Sequence, residues 1–135
     1  MRKRRGFLAA SALSVAAVVG ALAAPAQAAS YDGSCNADEA CLYRYADYTG
    51  GIYDTIQSKQ SYTGTYYGTS VAIDNTVSSV KNRDTSDNLW LYQNAYWSGD
   101  TWGVPKGAST NLGGSFDNMP SSHCWSPATS GCPGG

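Results

Sequence analysis

Glutamate and histidine each occur only once in this 135-residue chain, at Glu39 and His123. A single histidine cannot build a histidine metal cluster, and the spacings Cys35 to Cys41 and Cys124 to Cys132 do not match paired zinc knuckles. There is no G-x-S-x-G turn. Ser122-His123 cannot supply the nucleophile and base of a triad on a strand, because neighbouring strand residues point to opposite faces. Two aspartates could in principle form a glycosidase pair, but nothing in the sequence selects any two. No EF-hand loop is present. The chain is therefore expected not to be an enzyme.

Basic charge is equally scarce once the N-terminus is set aside. Arg2, Lys3, Arg4 and Arg5 precede an Ala/Val/Leu-rich stretch that ends in Ala26-Gln27-Ala28, the pattern of a cleaved secretory signal peptide over residues 1–28. Gly20 and Pro25 interrupt that stretch and argue against a retained anchor, so no membrane association is expected after cleavage. Arg4-Arg5-Gly6-Phe7-Leu8 resembles a twin-arginine export signal, and the export route stays open. Residues 29–135 carry five Lys/Arg against ten Asp/Glu, a formal charge of −5. With no basic stripe to neutralise phosphates, nucleic-acid binding is not expected.

The mature part is read as one extracellular domain, a monomer, with a core modest enough to call for covalent or metal staples. It contains all four cysteines, which in an exported chain argues for two disulfides. Three connectivities are possible. Local pairing, Cys35 with Cys41 and Cys124 with Cys132, is preferred because it asks for no approach of the termini, although short loops give the smaller entropic stabilisation.

Helix signals are few, whereas tyrosine, threonine, serine and glycine are abundant, a composition that favours an all-β fold. Leu42-Tyr43-Arg44-Tyr45 and Leu89-Trp90-Leu91-Tyr92 read as strands, each followed by a hairpin signal: Tyr43-x4-Tyr48-x-Gly50 and Tyr92-x4-Trp97-x-Gly99. Gly50 and Gly99 would supply the positive φ that lets a hairpin fold back over its sheet, with Tyr48 and Trp97 covering it. Behind each hairpin comes a second signature, Asp74-Asn75-Thr76-Val77-Ser78-Ser79 and Asp117-Asn118-Met119-Pro120-Ser121-Ser122. Two signatures repeating in the same order mark an internal repeat of about 45 residues. Residues 78–82 and 121–125 are the expected following strands. Two sets of four short strands predict a β-sandwich of two Greek keys, the first over about 41–83 and the second over about 88–125, with an irregular tail at 126–135.

Tyr43 to Asp74 spans 31 positions and Tyr92 to Asp117 spans 25, so the first key carries an insertion. It is placed within 57–70, where Tyr62, Tyr66 and Tyr67 stand among glycines. These three tyrosines are the candidate partner-binding side chains, on a loop expected to be separable from the fold; a longer β-arch without a partner is the alternative.

The duplicated arrangement resembles the βγ-crystallin domain, whose microbial members bind calcium through the pattern Asx-Asx-x-x-Ser/Thr-Ser. Calcium takes six to eight oxygen ligands, which Asp, Asn and Ser loops can offer. The resemblance implies ligation by the side chains of Asn75 and Asn118, the backbone carbonyls of Thr76 and Met119, and the hydroxyls of Ser78 and Ser121. Asp74 and Asp117 would be ligands or local charge, and each site would draw on both keys. The last serines, Ser79 and Ser122, would lock the folded hairpins. With few carboxylates per site, binding would be weak, on the order of 10⁻⁴ to 10⁻³ M. Without a metal, Asp-Asn and Ser-Ser pairs also simply make Asx-turns and caps.

The block from Cys35 to Tyr43, C-x5-C-L-Y, resembles the start of the secreted bacterial metalloproteinase inhibitors that share this fold. That resemblance implies an extracellular protease as partner, with calcium either bound weakly or purely structural or absent. A cell-wall or carbohydrate-binding module is a further alternative, and fold likeness alone does not choose among these.

Overall fold

Leu42 and Leu91 occupy equivalent places in the two repeats, and each anchors a central strand. The computed structural model describes residues 29–127 together with positions 14, 16, 20, 129 and 132. Nearly all of the expected signal peptide and most of the tail beyond 127 lie outside the described residues. Seven strands run through them: β1 Ala40–Tyr45, β2 Thr49–Thr55, β3 Ser79–Asn82, β4 Asn88–Asn94, β5 Ser98–Val104, β6 Ser109–Asn111 and β7 Ser122–Ser126. The helical content is two three-residue 3-10 turns. No helix among the described residues is long and apolar enough to cross a membrane.

The strands form two antiparallel sheets, ordered β2-β1-β3-β6 and β5-β4-β7. The second key sends β6 across to pair with β3 of the first, which is the Greek-key exchange. The first key returns the favour with a shorter piece: Lys59 exchanges both backbone hydrogen bonds with His123 of β7, each 2.9 Å, and Tyr62 N–H donates to Ser121 O at 2.9 Å. Seven strands and an irregular edge therefore stand where eight strands were expected. Alternation places Leu42 and Val80 of one sheet opposite Leu89, Leu91, Val104 and Trp125 of the other, all in one core. A fully buried side chain of this kind stabilises the fold by about 1.5–3 kcal/mol.

The insertion in the first key contributes to that core, which corrects the expectation of a separable binding loop. Tyr62 and Tyr66 are 4% and 0% exposed. The Tyr66 hydroxyl hydrogen-bonds Thr76 Oγ1 at 3.0 Å, and the Tyr62 hydroxyl meets His123 Nδ1 at 2.9 Å. With a strand's length missing from the second sheet, two large rings fill the gap that a strand would cover, and their hydroxyls find buried partners. Neither tyrosine is available to a partner, and cutting out 61–68 would open the core. Truncating buried aromatic residues typically costs about 3–5 kcal/mol. Of the three candidates, only Tyr67 stays at the surface, 47% exposed.

Both disulfides pair locally, Cys35 with Cys41 and Cys124 with Cys132. The first closes a loop around Glu39, which is wholly buried. Glu39 Oε2 accepts the Asn36 N–H at 2.7 Å, while Oε1 is buried with no protein partner. Burial pushes its pKa up, and the neighbouring Asp54 and Asp32 add to that.

His123 fixes a pH limit on the fold. Its Nε2 lies 2.8 Å from the Gln57 carbonyl and must donate, so Nδ1 accepts from the Tyr62 hydroxyl. Burial, with Lys59 nearby, lowers its pKa to about 4. The folded state thus prefers the neutral ring, whereas the unfolded chain takes up a proton near pH 6.5. This contribution is intact above pH 6.5 and is lost as pH falls toward 4, by about 3 kcal/mol in total. Imidazole C–H chemical shifts followed by NMR are expected to stay flat from pH 8 to about 5; a midpoint near 6.5 would contradict this burial.

Candidate functional site

Each hairpin closes through residues that resist the conformation they adopt. Asp47 and Tyr48 in the first key, and Tyr96 and Trp97 in the second, all have φ between 56° and 60°. Left-handed backbone in residues with a Cβ costs about 1 kcal/mol or more each. Gly50 and Gly99 follow at φ of 79° and 81°. A Cβ at Gly50 would lie 2.6 Å from the Tyr45 ring, and one at Gly99 would lie 2.6 Å from the Asn94 amide, so only glycine fits. The strain is offset by one buried hydroxyl per key. Ser79 Oγ donates to Tyr45 O at 2.6 Å and accepts the Tyr48 N–H at 3.0 Å. Ser122 Oγ donates to Asn94 O at 2.6 Å and accepts the Trp97 N–H at 3.2 Å. The aromatic residues then lie over strands: Tyr48 packs edge-on against Tyr43, and Trp97 Nε1 donates to His123 O at 3.0 Å.

Because Ser79 and Ser122 open β3 and β7, the Asx-Ser loops just before them are held side by side. Asn75 N–H donates to Pro120 O at 3.2 Å, and Asn118 N–H donates to Val77 O at 3.0 Å, a reciprocal pair between equivalent positions. Both asparagines are left-handed, at φ of 56° and 58°, a conformation that asparagine tolerates better than most residues. The side chains cross as well. Ser78 Oγ donates to Asn118 Oδ1 at 3.2 Å, and Ser121 Oγ donates to Asn75 Oδ1 at 3.1 Å. Each asparagine amide group points back to its own aspartate, Asn75 to Asp74 at 3.3 Å and Asn118 to Asp117 at 3.4 Å. The aspartates thereby turn each Oδ1 toward the serine of the other key.

Six of the eight predicted positions thus fall into two symmetry-related clusters. Ser78 of the first key meets Asn118 of the second, which in turn meets Asp117, and Ser121 of the second meets Asn75 of the first, which in turn meets Asp74. The clusters consist of hydroxyl, amide and carboxylate oxygens at an exposed surface, a hard-donor set suited to calcium rather than to a transition metal. The Thr76 and Met119 carbonyls accept no hydrogen bond from any described residue, which leaves both lone-pair sets open. On these observations the residues fit a calcium ion. The Thr76 hydroxyl is engaged elsewhere, donating to Ala72 O at 2.7 Å. Among the described residues no three His, Cys, Asp or Glu side chains converge, so nothing resembles a zinc centre.

Two further features were not foreseen. One is a depression of about 510 Å³ that touches both Asx-Ser loops, lined by Arg44, Tyr45 and Ala46 of the hairpin together with Asn75, Thr76, Ser78, Asp117 and Asn118. Setting the two keys in register, which places Arg44 opposite Gln93, would have drawn attention to it. The other is Tyr31, 41% exposed, whose ring meets that of Tyr67 edge-on at 5.5 Å and that of Tyr53 at 5.3 Å. Its hydroxyl donates to Thr65 O at 2.9 Å. The ring of Tyr67 is also pressed on Gly33, where a Cβ would lie 2.4 Å away.

Known proteins bear on both the fold and the family. The model of peptidase inhibitor family I36 matches residues 27–104. No curated protein matches the chain by sequence. Among solved structures, a chain from work on the evolution of the eye lens βγ-crystallin domain fold is 13% identical, covering 68% of this chain and 89% of that one, with a TM-score of 0.55. A βγ-crystallin from an archaeon is 19% identical, with 67% and 99% covered and a TM-score of 0.51. The N-terminal domain of protein S is 25% identical, with 63% and 91% covered and a TM-score of 0.51. The fold is that of the βγ-crystallins.

The geometry separates two serine roles that adjacent positions would otherwise blur. Ser79→Ala and Ser122→Ala each leave a strained hairpin without its bridge, and each is expected to lower stability in EDTA by about 1–3 kcal/mol in urea titrations. Ser78→Ala and Ser121→Ala, which each remove a single hydroxyl contact to a solvent-exposed asparagine, are expected to lower it by less than about 0.5 kcal/mol. Equal losses in the two pairs would contradict the assignment of the lock.

Proposed function

The chain belongs to peptidase inhibitor family I36, and from that premise we propose that it is an exported, non-enzymatic inhibitor of an extracellular peptidase, braced by two weak calcium sites. The family match over residues 27–104 is the observation that carries the inhibitory reading. The N-terminal sequence pattern and the two disulfides support export.

An inhibitor needs a preorganised surface, because ordering a loop on binding costs affinity. Tyr67 and Tyr31 meet that need and are assigned as the contact residues. Their rings brace each other, Tyr31 is tied to Thr65 by its hydroxyl, and both remain exposed by two-fifths or more. Tyrosine on a fixed frame offers contact area with only two rotatable angles to order.

Calcium would be held by Ser78 with Asn118 at one site and by Ser121 with Asn75 at the other, with the Thr76 and Met119 carbonyls completing the loop contribution. The ion would replace two hydroxyl-to-amide hydrogen bonds by tighter oxygen ligation between the keys. A ligand that binds only the folded state raises its stability by RT ln(1 + [L]/Kd). Magnesium would do less, since it demands stricter octahedral geometry and gives up water reluctantly.

A panel of metallo- and serine peptidases assayed with the signal-free protein tests the reading. Inhibition of at least one at about micromolar concentration or below is expected, with Tyr31→Ala and Tyr67→Ala each weakening it by about tenfold or more while the circular dichroism spectrum is unchanged. Absence of inhibition across the panel would overturn the inhibitory reading and leave the calcium reading standing on its own titration.

A further inference from the structure

The edge of a sheet offers backbone groups to any other strand, and natural proteins cover, shorten or interrupt such edges. Three of the four edges here are treated in that way. Along β2, Tyr31 N–H donates to Asp54 O at 2.9 Å and Tyr67 N–H donates to Ile52 O at 2.7 Å. Along β7, Lys59 exchanges both backbone bonds with His123. β6 is only three residues long. β5 differs from all of these. It spans seven residues, Ser98–Val104, and its strand partner is β4 alone among the described residues. It contains no lysine or proline, and its one charged side chain is Asp100. Its bulge lies at the hairpin end, so Thr101 to Val104 continue in unbroken register.

The register shows which groups of β5 face outward. His123 gives both backbone groups to Lys59, away from β4, so its partner on β4, Leu91, turns its own toward β5 and Trp102. Backbone direction alternates along a strand, so the N–H and C=O of Thr101 and Gly103 point out from the free edge. Both residues are exposed, and no described backbone group outside the hairpin bonds to either. On the outer face Trp90 lies across Gly103, where a Cβ would come within 2.9 Å of the indole. Beside it opens a slot of about 220 Å³ lined by Asn88, Trp90, Gly103, Val104 and Pro105.

We propose that β5 pairs with β5 of a second copy of this chain, antiparallel about a two-fold axis at Trp102, joining two three-stranded sheets into one of six strands. In that register Thr101 of each copy opposes Gly103 of the other, and all the outward groups of these residues are bonded. The Thr101 side chain of one copy enters the space beside Gly103 of the other, against the Trp90 ring. Trp102, partly buried with its ring centre 5.6 Å from that of Phe116, meets its own copy as a cross-strand aromatic pair. Asp100 lies opposite Val104, so no like charges are opposed. The neighbouring registers are poorer. An axis at Gly103 sets Pro105, which lacks an N–H, against Thr101, and an axis at Thr101 runs the pairing into the bulge. The inference rests on neither the calcium nor the inhibitory reading. Because Tyr31 and Tyr67 cover β2 in the other sheet, the dimer would carry two copies of that surface. The contact is small, so its dissociation constant is expected on the order of 10⁻⁴ M, and the dilute chain is a monomer.

The test is sedimentation equilibrium of the signal-free protein in EDTA from about 10 µM to about 1 mM, a span that brackets that constant, with amide hydrogen exchange followed by NMR at both ends. The mean mass is expected to rise toward that of the dimer. Exchange at Thr101 and Gly103 is expected to slow about fourfold, as the share of free edge falls, while Trp102, bonded to β4, exchanges alike at both ends. Thr101→Pro removes an outward N–H without touching the ladder to β4 and is expected to weaken association about tenfold or more. Thr101→Val keeps that N–H and is expected to associate like the unaltered protein. A monomer mass at every concentration, association that Thr101→Pro leaves unchanged, or slowed exchange confined to other edges would overturn the proposal. Protection of both amides already at the lowest concentration, in a monomeric sample, would show the edge covered from within its own chain and overturn it as well. The exchange measurement uses the unaltered protein, so it decides the matter should Thr101→Pro fail to fold.

Discussion

The buried hydroxyl at the start of β3 and β7 is the interaction on which the rest of this structure depends. Ser79 and Ser122 each take one backbone N–H and give one proton to a carbonyl, tying together the two sides of a hairpin that contains two consecutive left-handed residues. A hairpin of that shape is unfavourable on local terms, so it persists only because something outside it over-determines its backbone. Both serines are entirely buried, so a missing partner there would incur a desolvation penalty rather than an exchange with water. Once the hairpins are fixed, the chain entering β3 and β7 is fixed as well. The residues just upstream then have no choice but to lie against their counterparts in the other key.

That proximity lets two weak halves form shared clusters. Each Asx-Ser loop supplies one hydroxyl and one amide oxygen, each to a different cluster. The reciprocal backbone bonds, Asn75 to Pro120 and Asn118 to Val77, set the loops at the right separation independently of the side chains. The insertion in the first key serves the same end from the opposite side. Its Tyr66 ring is wholly buried and reaches Thr76 within the first loop, while Tyr62 reaches His123 next to Ser122. The extra residues of the first key hence stiffen the loop region instead of projecting from it.

The repeat, the strands that open each key and follow each Asx-Ser loop, and the hairpin glycines were legible in the sequence, because each is written in local spacing: a tyrosine, a glycine seven residues later, and an Asx-Ser run behind. The local pairing of the cysteines was legible for a similar reason. The fate of the tyrosines was not. Tyrosine carries both a large apolar ring and a hydroxyl, so Tyr62, Tyr66 and Tyr67 look alike in sequence and are separated only by what the second sheet lacks. Tyr31 was missed because its partners, Tyr67 and Thr65, are more than 30 positions away. The crossing of serine and asparagine between keys is a tertiary relation that no single loop encodes.

The shared character of the proposed ion sites is the central claim, and a crystal structure of the signal-free protein grown in calcium, with the ions located by anomalous scattering, tests it most directly. The account predicts two ions, one touching Ser78 and Asn118 and the other touching Ser121 and Asn75, each bound by both keys. Ions ligated by one key alone, or none at these loops at about 10 mM calcium, a concentration well above the weak-site range, would contradict it.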